Sequence, residues 1–248
     1  MVRMFLTLSS LAFTYSGASH PALRPCSLEL DTSVITVLVG NNGAGKSTLI
    51  RLLTGQLLGF QGTYLLDGAR AEPLKGELLA RYRFGYVPDI PVLDPLLTGA
   101  EAAEMAGSFR GMDRARILGE LEAYAALFDL GDWYGGLTCD KYSKGMRKKA
   151  ALVIGFLGEP QYVFLDEPFD GLDPVAIYHL KRHLKDRRAR GLGCLVSSHM
   201  LDAAEKVADE LIIMKDGNTV YTGGFKALLD SRPAGAALDE IYFEYFAK

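Results

Sequence analysis

The amino-acid sequence predicts an α/β fold in which a mostly parallel sheet carries an inserted α-helical subdomain. Three largely apolar runs, at residues 34–39, 162–165 and 194–198, lack the alternation of a half-exposed strand. Runs that are apolar on both faces are typical of a parallel sheet covered by helices. Between the first two runs, residues 94–158 instead carry apolar side chains at helical spacing. We therefore predict a helical insertion within an α/β lobe.

Size and composition restrict the possible architectures. The chain has 248 residues, 49% of them hydrophobic, which is enough for one large domain or two small lobes with a substantial core. The net charge of −3 provides no general attraction to nucleic acid or to an anionic membrane. The three cysteines are widely spaced without a CxxC pair, so a disulfide framework or zinc site is not indicated and a reducing cytoplasm is favoured.

The N-terminal segment has two interpretations. Residues 4–23 are uncharged and superficially resemble the hydrophobic region of a signal peptide. Polar residues interrupt the segment, however, and its apolar positions alternate as in a strand with one slip. These positions are Leu6, Leu8, Leu11 and Phe13. We predict an edge strand here and, because no 18 consecutive residues are apolar, no helix that spans a bilayer.

Capping signals divide residues 94–158 into three predicted helices. Thr98 and Glu101 fit a capping box. Asp113 and Ser143 are candidate N-caps of the next two helices. The predicted buried face of the first helix consists of Ala102, Met105, Ala106 and Phe109.

A glycine-rich loop follows the first predicted strand. Residues 40–47 match the pattern G-x-x-x-x-G-K-[ST], and a helical pattern comes directly after them. Glycines let the backbone N–H groups of such a loop approach phosphate oxygens, and the helix adds its positive end. Lys46 is expected to reach the β- and γ-phosphates of a nucleotide, and Ser47 to ligate Mg²⁺. The predicted phosphate-binding residues are Gly40, Asn41, Asn42, Gly43, Ala44, Gly45, Lys46, Ser47 and Thr48.

Two acidic residues end the second buried run. Asp166 suits a carboxylate that holds Mg²⁺, and Glu167 is the candidate general base that orients the attacking water. The alternative is that this acidic pair merely opens a surface turn. Together with the glycine-rich loop, the pair favours a P-loop NTPase-type lobe.

The predicted organisation is a single domain, residues 1–248, with three parts. The α/β nucleotide-binding lobe comprises residues 1–88 and 159–225, and the helical subdomain comprises residues 89–158. Residues 226–248 form a C-terminal helical tail whose aromatic stripe is expected to pack on its own domain. The stripe consists of Leu238, Ile241, Tyr242 and Tyr245.

Further motifs in the same order and spacing resemble the ATP-binding subunit of ABC transporters over nearly the whole chain. Residues 142–146, YSKGM, resemble the signature sequence of that family, and residues 169–173, FDGLD, resemble its D-loop. His199 matches the switch histidine. Tyr15, which lies 25 residues before Gly40, matches the aromatic residue that stacks on adenine.

The resemblance implies an ATPase that works as a head-to-tail dimer. Ser143, Lys144 and Gly145 would face the γ-phosphate of the ATP bound by the other subunit, because a helix N-terminus favours an anion. His199 would hold the γ-phosphate and the water of Glu167 in line. Asp173 would act across the dimer interface. Lys46 would bind the phosphates, and Asp166 would hold Mg²⁺. ATP and Mg²⁺ are the implied cofactors.

Two positions depart from the family pattern. Asp89 stands where glutamine is usual in the loop that joins the lobes; its shorter carboxylate side chain is still a candidate ligand of Mg²⁺ or of its waters. Lys144 and Met146 replace the commoner glycine and glutamine of the signature, and an extra cation beside a γ-phosphate is electrostatically favourable.

The resemblance implies an ABC transporter subunit that powers transport through a separate transmembrane permease subunit. We expect a homo- or heterodimer on the cytoplasmic face of the cell membrane, with no nucleic-acid partner. The absence of an appended regulatory domain favours export. The alternatives are a soluble ABC ATPase of the Fe–S assembly, translation or DNA maintenance type, and a regulatory module that binds nucleotide without hydrolysis.

Two charged patterns have a second interpretation. His179 and His183 lie four residues apart, which is metal-ligand spacing, but a solvated helical face is favoured because basic residues lie between them. The basic run comprises Lys181, Arg182, Lys185, Arg187, Arg188 and Arg190. It is interpreted as solvated surface, with contact to anionic lipid or nucleic acid as the alternative. The other basic cluster is Lys141, Lys144, Arg147, Lys148 and Lys149, of which only Lys144 is expected near phosphate.

Overall fold

The computed structural model describes residues 5–66, 69–70, 84–232 and 238–246. The strands are β1 (Phe5–Phe13), β2 (Leu23–Asp31), β3 (Ile35–Gly40), β4 (Gln61–Leu66), β5 (Ala69–Arg70), β6 (Phe84–Val87), β7 (Tyr162–Asp166), β8 (Cys194–Ser198), β9 (Glu210–Lys215) and β10 (Asn218–Gly224). The helices are α1 (Lys46–Leu53), α2 (Gly99–Phe109), α3 (Arg114–Phe128), α4 (Trp133–Gly136), α5 (Lys144–Phe156), α6 (Pro174–Ala189), α7 (Leu201–Glu205), α8 (Phe225–Asp230) and α9 (Leu238–Phe246).

The larger sheet confirms the α/β prediction. It has six strands in the order β10-β9-β3-β8-β7-β6, and each neighbouring pair is parallel except the β9–β10 hairpin. Every residue of β3, β7 and β8 is buried. Val37 and Val39 pack into one apolar cluster, whereas Leu38 between them packs into another. Both faces of the sheet are therefore covered, as the continuous apolar runs require.

A second, antiparallel sheet was not predicted from the sequence. It contains four strands in the order β2-β1-β4-β5, and the side chains of Leu6 and Leu8 join the same apolar cluster as Leu38. The predicted slip in the alternation of β1 is confirmed by shifts of register between Leu8 and Leu11 and between Leu11 and Phe13. The prediction of an edge strand was wrong, because β1 pairs with β2 on one side and with β4 on the other.

The three capping predictions in the helical region are confirmed. Thr98 and Glu101 form the capping box of α2, Asp113 caps α3, and Ser143 caps α5. The predicted buried face of α2 is only partly correct. Ala102 is buried, but Met105 is 46% and Phe109 is 82% exposed. The buried side of α2 is instead formed by Gly99, Ala102, Ala103 and Gly107.

The C-terminal helix packs on the rest of the chain. Leu238 and Ile241 of α9 are buried in an apolar cluster that also contains Phe225 and Ala204, so the expectation for the aromatic stripe is confirmed. Within the described ranges, every helix is too short or too polar to cross a bilayer.

Candidate active site

A cavity of about 450 Å³ opens beside the glycine-rich loop. The predicted site residues that line it are Tyr15, Asn42, Gly43, Ala44, Gly45, Lys46, Ser47, Thr48, Asp89, Glu167 and His199. Ala22 and Asp170 line it as well and were not predicted as site residues. The cavity lies beyond the carboxyl ends of parallel strands, which is where open α/β sheets bind ligands.

In the loop between β3 and α1, two positions have backbone angles that only glycine adopts easily. Gly43 and Gly45 have φ angles of 83° and 101°, in the left-handed region that favours glycine. A Cβ atom on Gly45 would lie 2.6 Å from the carbonyl oxygen of Ala22, so the loop is also too tightly packed for a side chain there. This geometry leaves the N-terminal end of α1 directed at the cavity.

Lys46 spans the loop that precedes it. Its Nζ atom donates hydrogen bonds to the carbonyl oxygens of Gly40 (2.7 Å) and Asn41 (3.3 Å). The same Nζ lies 3.7 Å from Oε1 of Glu167. Gly40 and Asn41 thus form the base of the loop, and Lys46 places a buried positive charge between the loop and the acidic end of β7.

Asp166 lies behind Ser47 with one oxygen unsatisfied. Its Oδ1 accepts hydrogen bonds from Ser47 Oγ (3.2 Å) and from Ser197 Oγ (2.5 Å). Its Oδ2 is buried and has no hydrogen-bond partner among the described residues. An orphaned buried carboxylate oxygen is unfavourable without a cation or a donor. Hydroxyl and carboxylate oxygens are ligands that Mg²⁺ prefers, so this donor set, with Asp89 as a further carboxylate that lines the cavity, fits that ion.

Glu167 is held against His199. Its Oε2 atom accepts the backbone N–H of His199 at 3.1 Å and lies 2.8 Å from His199 Nδ1. Since an ionised carboxylate can only accept, Nδ1 carries the proton of this contact. Glu167 has a φ of 47°, which is strained for a residue with a side chain. Its N–H donates to Ser197 Oγ at 3.0 Å.

Ser197 is a site residue that the sequence analysis missed. Its hydroxyl joins Asp166 and Glu167 and is completely buried. The available signal was its position at the end of the third apolar run, two residues before His199. In a parallel sheet, this end lies beside the end of β7.

Asp89 lines the cavity and is attached to a buried lysine. Its carbonyl oxygen accepts a hydrogen bond of 2.7 Å from Lys148 Nζ, and its Oδ1 lies 3.9 Å from the same atom. Lys148 is fully buried, and burial lowers the pKa of its ammonium group. From the sequence, Lys148 was assigned only to a basic cluster and was not expected near phosphate. The signal for burial that was missed is the apolar sequence that follows Lys148 in α5, in which Ala151 and Leu152 are also buried.

The signature residues lie outside the cavity. Ser143 Oγ accepts the N–H of Met146 at 3.2 Å and begins α5. Lys144 Nζ is 2.6 Å from Asp170 Oδ2, and this contact lowers the pKa of the Asp170 carboxyl. A Cβ on Gly145 would lie 2.7 Å from the carbonyl oxygen of Gly171. The start of α5 therefore packs against the D-loop.

Asp173 also lies outside the cavity. It caps α6 by accepting the N–H of Ala176 at 2.8 Å, and it pairs with Lys149 at 3.0 Å. The capping hydrogen bond, helped by Lys149, lowers the pKa of its carboxyl. Four predicted residues thus lie where α5 meets the D-loop and do not line the cavity: Ser143, Lys144, Gly145 and Asp173.

Two tyrosines contact the phosphate-loop region from different elements. The hydroxyl of Tyr15 lies 3.2 Å from Thr48 Oγ1, and its ring meets Phe13 edge to face at 5.0 Å. Tyr242 of α9 donates a hydrogen bond of 2.5 Å to Asn41 Oδ1. The sequence analysis assigned the second tyrosine only to packing, because a contact over 201 positions leaves no local pattern.

Several side chains of the histidine pair and of the basic run on α6 pack against or pair with other residues of the chain. His183 packs edge-on against Phe156 and Tyr124, and burial lowers its pKa to about 4, so the prediction of a solvated face was wrong for this residue. Within the described residues, no group of three or more His, Cys, Asp or Glu side chains is placed to hold a metal. Arg188 and Arg190 are held in ion pairs with Asp209 and Glu159, respectively, and Arg187 is buried.

Comparisons with known proteins agree with the geometry. The family described as ABC transporter matches residues 23–170, more than half of the chain. The chain is 34% identical over 242 residues to the ABC-type transporter ATP-binding protein EcsA of Bacillus subtilis, covering 96% of this chain and 95% of that protein. It is 32% identical to the probable multidrug ABC transporter ATP-binding protein YbhF of Escherichia coli, of which it covers 38%.

Solved structures share the fold. A structure of the ATP-binding subunit of an ABC transporter superposes with a TM-score of 0.86 at 32% identity, covering 97% of this chain and 98% of that one. A dimeric ATP-binding cassette in a post-hydrolysis state with ADP and Pi superposes with a TM-score of 0.80 at 21% identity, covering 88% and 98%. Because the family model matches more than half of the chain and one relative is covered almost end to end, the chain belongs to the ABC transporter family, as an ATP-binding subunit with ATPase activity that powers transport.

Proposed function

We propose that the cavity beside the phosphate loop is the site at which this ATPase subunit hydrolyses Mg-ATP. The observation that carries the proposal is the convergence of Lys46, the Ser47–Asp166 pair and the Glu167–His199 pair on this one cavity. A cation, a hydroxyl–carboxylate pair and a carboxylate–imidazole pair are the groups that phosphate binding and water activation require.

In this proposal, the loop and Lys46 bind the phosphates. The N–H groups of residues 43–47 and the start of α1 surround the phosphate oxygens, and Lys46 exchanges its contacts with Gly40 and Asn41 for the β- and γ-phosphates. Ser47, Asp166 and Asp89 hold Mg²⁺. When bound, Mg²⁺ neutralises phosphate charge as a Lewis acid. Tyr15 lies on the cavity wall and stacks on adenine.

Glu167 is the proposed general base. Its Oε1 is available to orient the attacking water, while its Oε2 holds the ring and N–H of His199. Because Nδ1 is occupied, His199 has Nε2 left for the γ-phosphate, to which it donates when the ring carries its second proton. General acid–base assistance of this kind contributes about 10²- to 10⁴-fold in rate.

The position of the signature residues supports a head-to-tail dimer. Ser143 and Lys144 are exposed and do not line the cavity of their own chain. The first N–H groups of a helix have no partner within the helix and carry the positive end of its dipole, which favours an anion. We infer that this end completes the cavity of a second ATPase subunit, identical or different, and that Asp173 lies at the same interface.

An exposed apolar surface supports docking to a transmembrane permease subunit. Ile90 and Val92 follow Asp89, and Phe109 ends α2; these side chains are 78%, 92% and 82% exposed. Leu96 is also 82% exposed. Exposed apolar side chains that form a patch mark interaction sites, and Ile90, Val92 and Leu96 lie within seven positions of one another. The chain would then lie on the cytoplasmic face of the cell membrane, and closure of the dimer would move the helical region with the permease. Export stays a prediction.

The test is Glu167→Gln, assayed for phosphate release and by gel filtration with Mg-ATP. We expect phosphate release to fall by about 10²-fold or more, whereas ATP binding is retained and the variant elutes as a dimer. Glu29→Gln, an equivalent change of an exposed glutamate on β2, is the control and retains activity. Unchanged turnover, or a monomer at saturating ATP, contradicts the proposal. A parent protein without turnover in the presence of its permease favours the non-hydrolysing module.

A further inference from the structure

Lys148 is a buried cation with all its donors used. Its side chain has no exposed area, and Nζ donates to three carbonyl oxygens: Pro88 at 3.2 Å, Asp89 at 2.7 Å and Glu167 at 3.1 Å. An ammonium group has three N–H donors, so the carbonyls match its capacity. Complete burial of a lysine is rare unless its charge is compensated, which makes this arrangement one that requires an explanation.

The three acceptors belong to two segments that carry reacting groups. Pro88 and Asp89 begin the loop after β6, and Asp89 lines the cavity. Glu167 follows β7. Lys148 itself lies on α5, five positions after the N-cap Ser143. Its ammonium group therefore joins the helix that begins with the signature residues to both sides of the phosphate cavity.

The contact has a specific effect on the backbone of Glu167. The N–H of this residue donates to Ser197 Oγ, and its carbonyl oxygen accepts from Lys148 Nζ at 3.1 Å and from the N–H of Asp170 at 3.2 Å. These three bonds hold both peptide groups around a residue with a φ of 47°. A strained backbone persists when its surroundings determine it more than once. Loss of the Lys148 bond would leave the carbonyl with the N–H of Asp170, so the carboxylate would be held less firmly against His199.

We propose that Lys148 is a positioning residue, which fixes the Glu167 carboxylate and the Asp89 loop relative to α5 and so transmits the position of the signature helix to the hydrolytic centre. The inference rests on the proposed role of Glu167 as general base. It predicts a defect in turnover rather than in ATP binding, because Lys148 does not line the cavity.

Substitution of the full-length chain tests the proposal. Lys148→Met keeps the length of the side chain and removes the ammonium group, and we expect kcat for phosphate release to fall by about 10- to 10²-fold, as for a misplaced catalytic group. The ATP dissociation constant stays unchanged. Lys148→Gln retains two N–H donors and recovers part of the rate. Lys141→Met, at an exposed lysine of the same cluster, retains the parent rate.

A double substitution separates positioning from general destabilisation. If Lys148 acts through Glu167, adding Lys148→Met to Glu167→Gln lowers the remaining phosphate release no further. A defect of the same size in both backgrounds, a weakened ATP affinity, or a parent rate in Lys148→Met overturns the inference. A parent rate in Glu167→Gln would instead reject the proposed function itself, so the two failures are distinguishable.

Discussion

The phosphate-loop half and the signature half of the candidate site differ in how far one chain completes them. In the first half, Glu167 already contacts both Lys46 and His199 beside a cavity. In the second half, Ser143 caps its own helix and Lys144 pairs with Asp170. Sheet topology explains the first half, because β3, β7 and β8 are neighbours and their carboxyl ends meet at one edge.

The reacting groups and the groups that complete the site therefore come from different parts of the fold. The hydrolytic groups follow strands of a rigid, buried sheet, whereas the signature residues start a helix of the inserted region. Asp170 lies between the two halves, since it lines the cavity and binds Lys144. A movement of α5 against the sheet would therefore alter the second half directly and would reach the first half through Lys148, which binds the carbonyl oxygens of Asp89 and Glu167.

The largest expected effect comes from breaking the complete half with Lys46→Ala. The Lys46 ammonium is the buried cation beside the loop, and hydrogen bonds to charged groups contribute about 1.5–3 kcal/mol. We expect ATP affinity, measured by equilibrium binding, to fall by at least about tenfold, with phosphate release lost. Lys226→Ala, at an exposed lysine of α8, is the control. ATP binding by Lys46→Ala at parent affinity would refute the assignment of the loop.

Breaking the other half with Ser143→Ala should leave ATP binding by the isolated chain intact. We expect phosphate release to fall by about tenfold, from loss of one charged hydrogen bond to the partner's γ-phosphate. The substitution also removes an N-cap, which costs about 1 kcal/mol of stability. Thr98→Ala, which removes the N-cap of α2, is the matched control for this loss and retains turnover.

Mixing the two defective chains tests whether each site is shared between two chains. In a head-to-tail dimer of Lys46→Ala with Ser143→Ala, one composite site carries both changes and the other carries neither. The mixture should therefore release phosphate faster than either variant alone, up to about a quarter of the parent rate for random pairing of a twofold dimer. Full turnover by Ser143→Ala alone, or no gain on mixing, contradicts a site shared between two chains.

The sequence predicted the complete half more fully than the rest, for a physical reason. A buried strand followed by a glycine loop or an acidic pair is a local pattern, so Gly40–Ser47 and Asp166–Glu167 were recognisable before their strands were placed. Ser197 and Lys148 were missed because their partners lie 30 and 60 positions away, respectively. The local signals, an apolar run that ends at Ser197 and an apolar helix around Lys148, indicate burial but do not identify the partners that these side chains bind.

The incorrect predictions have related causes. β1 was assigned to an edge, but whether a strand has one neighbour or two depends on β4, whose paired residues lie 49 to 60 positions later in the chain. Met105 and Phe109 of α2 were assigned to the core on helical spacing alone. Spacing identifies an apolar face but not what covers it, and here small residues, Ala103 and Gly107, face the chain while the large ones are exposed.

The smallest expected effect is that of Tyr15→Ala at the outer wall of the complete half. Tyr15 is 37% exposed and is held by Thr48 and Phe13, so its ring is available for stacking on adenine. Aromatic stacking contributes about 0.5–1.5 kcal/mol beyond buried area, which corresponds to a loss of ATP affinity of about 2- to 13-fold. Turnover at saturating ATP should stay close to the parent rate, because Tyr15 is not among the residues that contact Glu167.

Tyr15→Phe keeps the ring and loses only the contact with Thr48, so it should retain most of the affinity. Equal affinities for all three proteins would remove Tyr15 from the nucleotide site, whereas a lost rate at saturation would mean that this wall of the cavity also positions the phosphates.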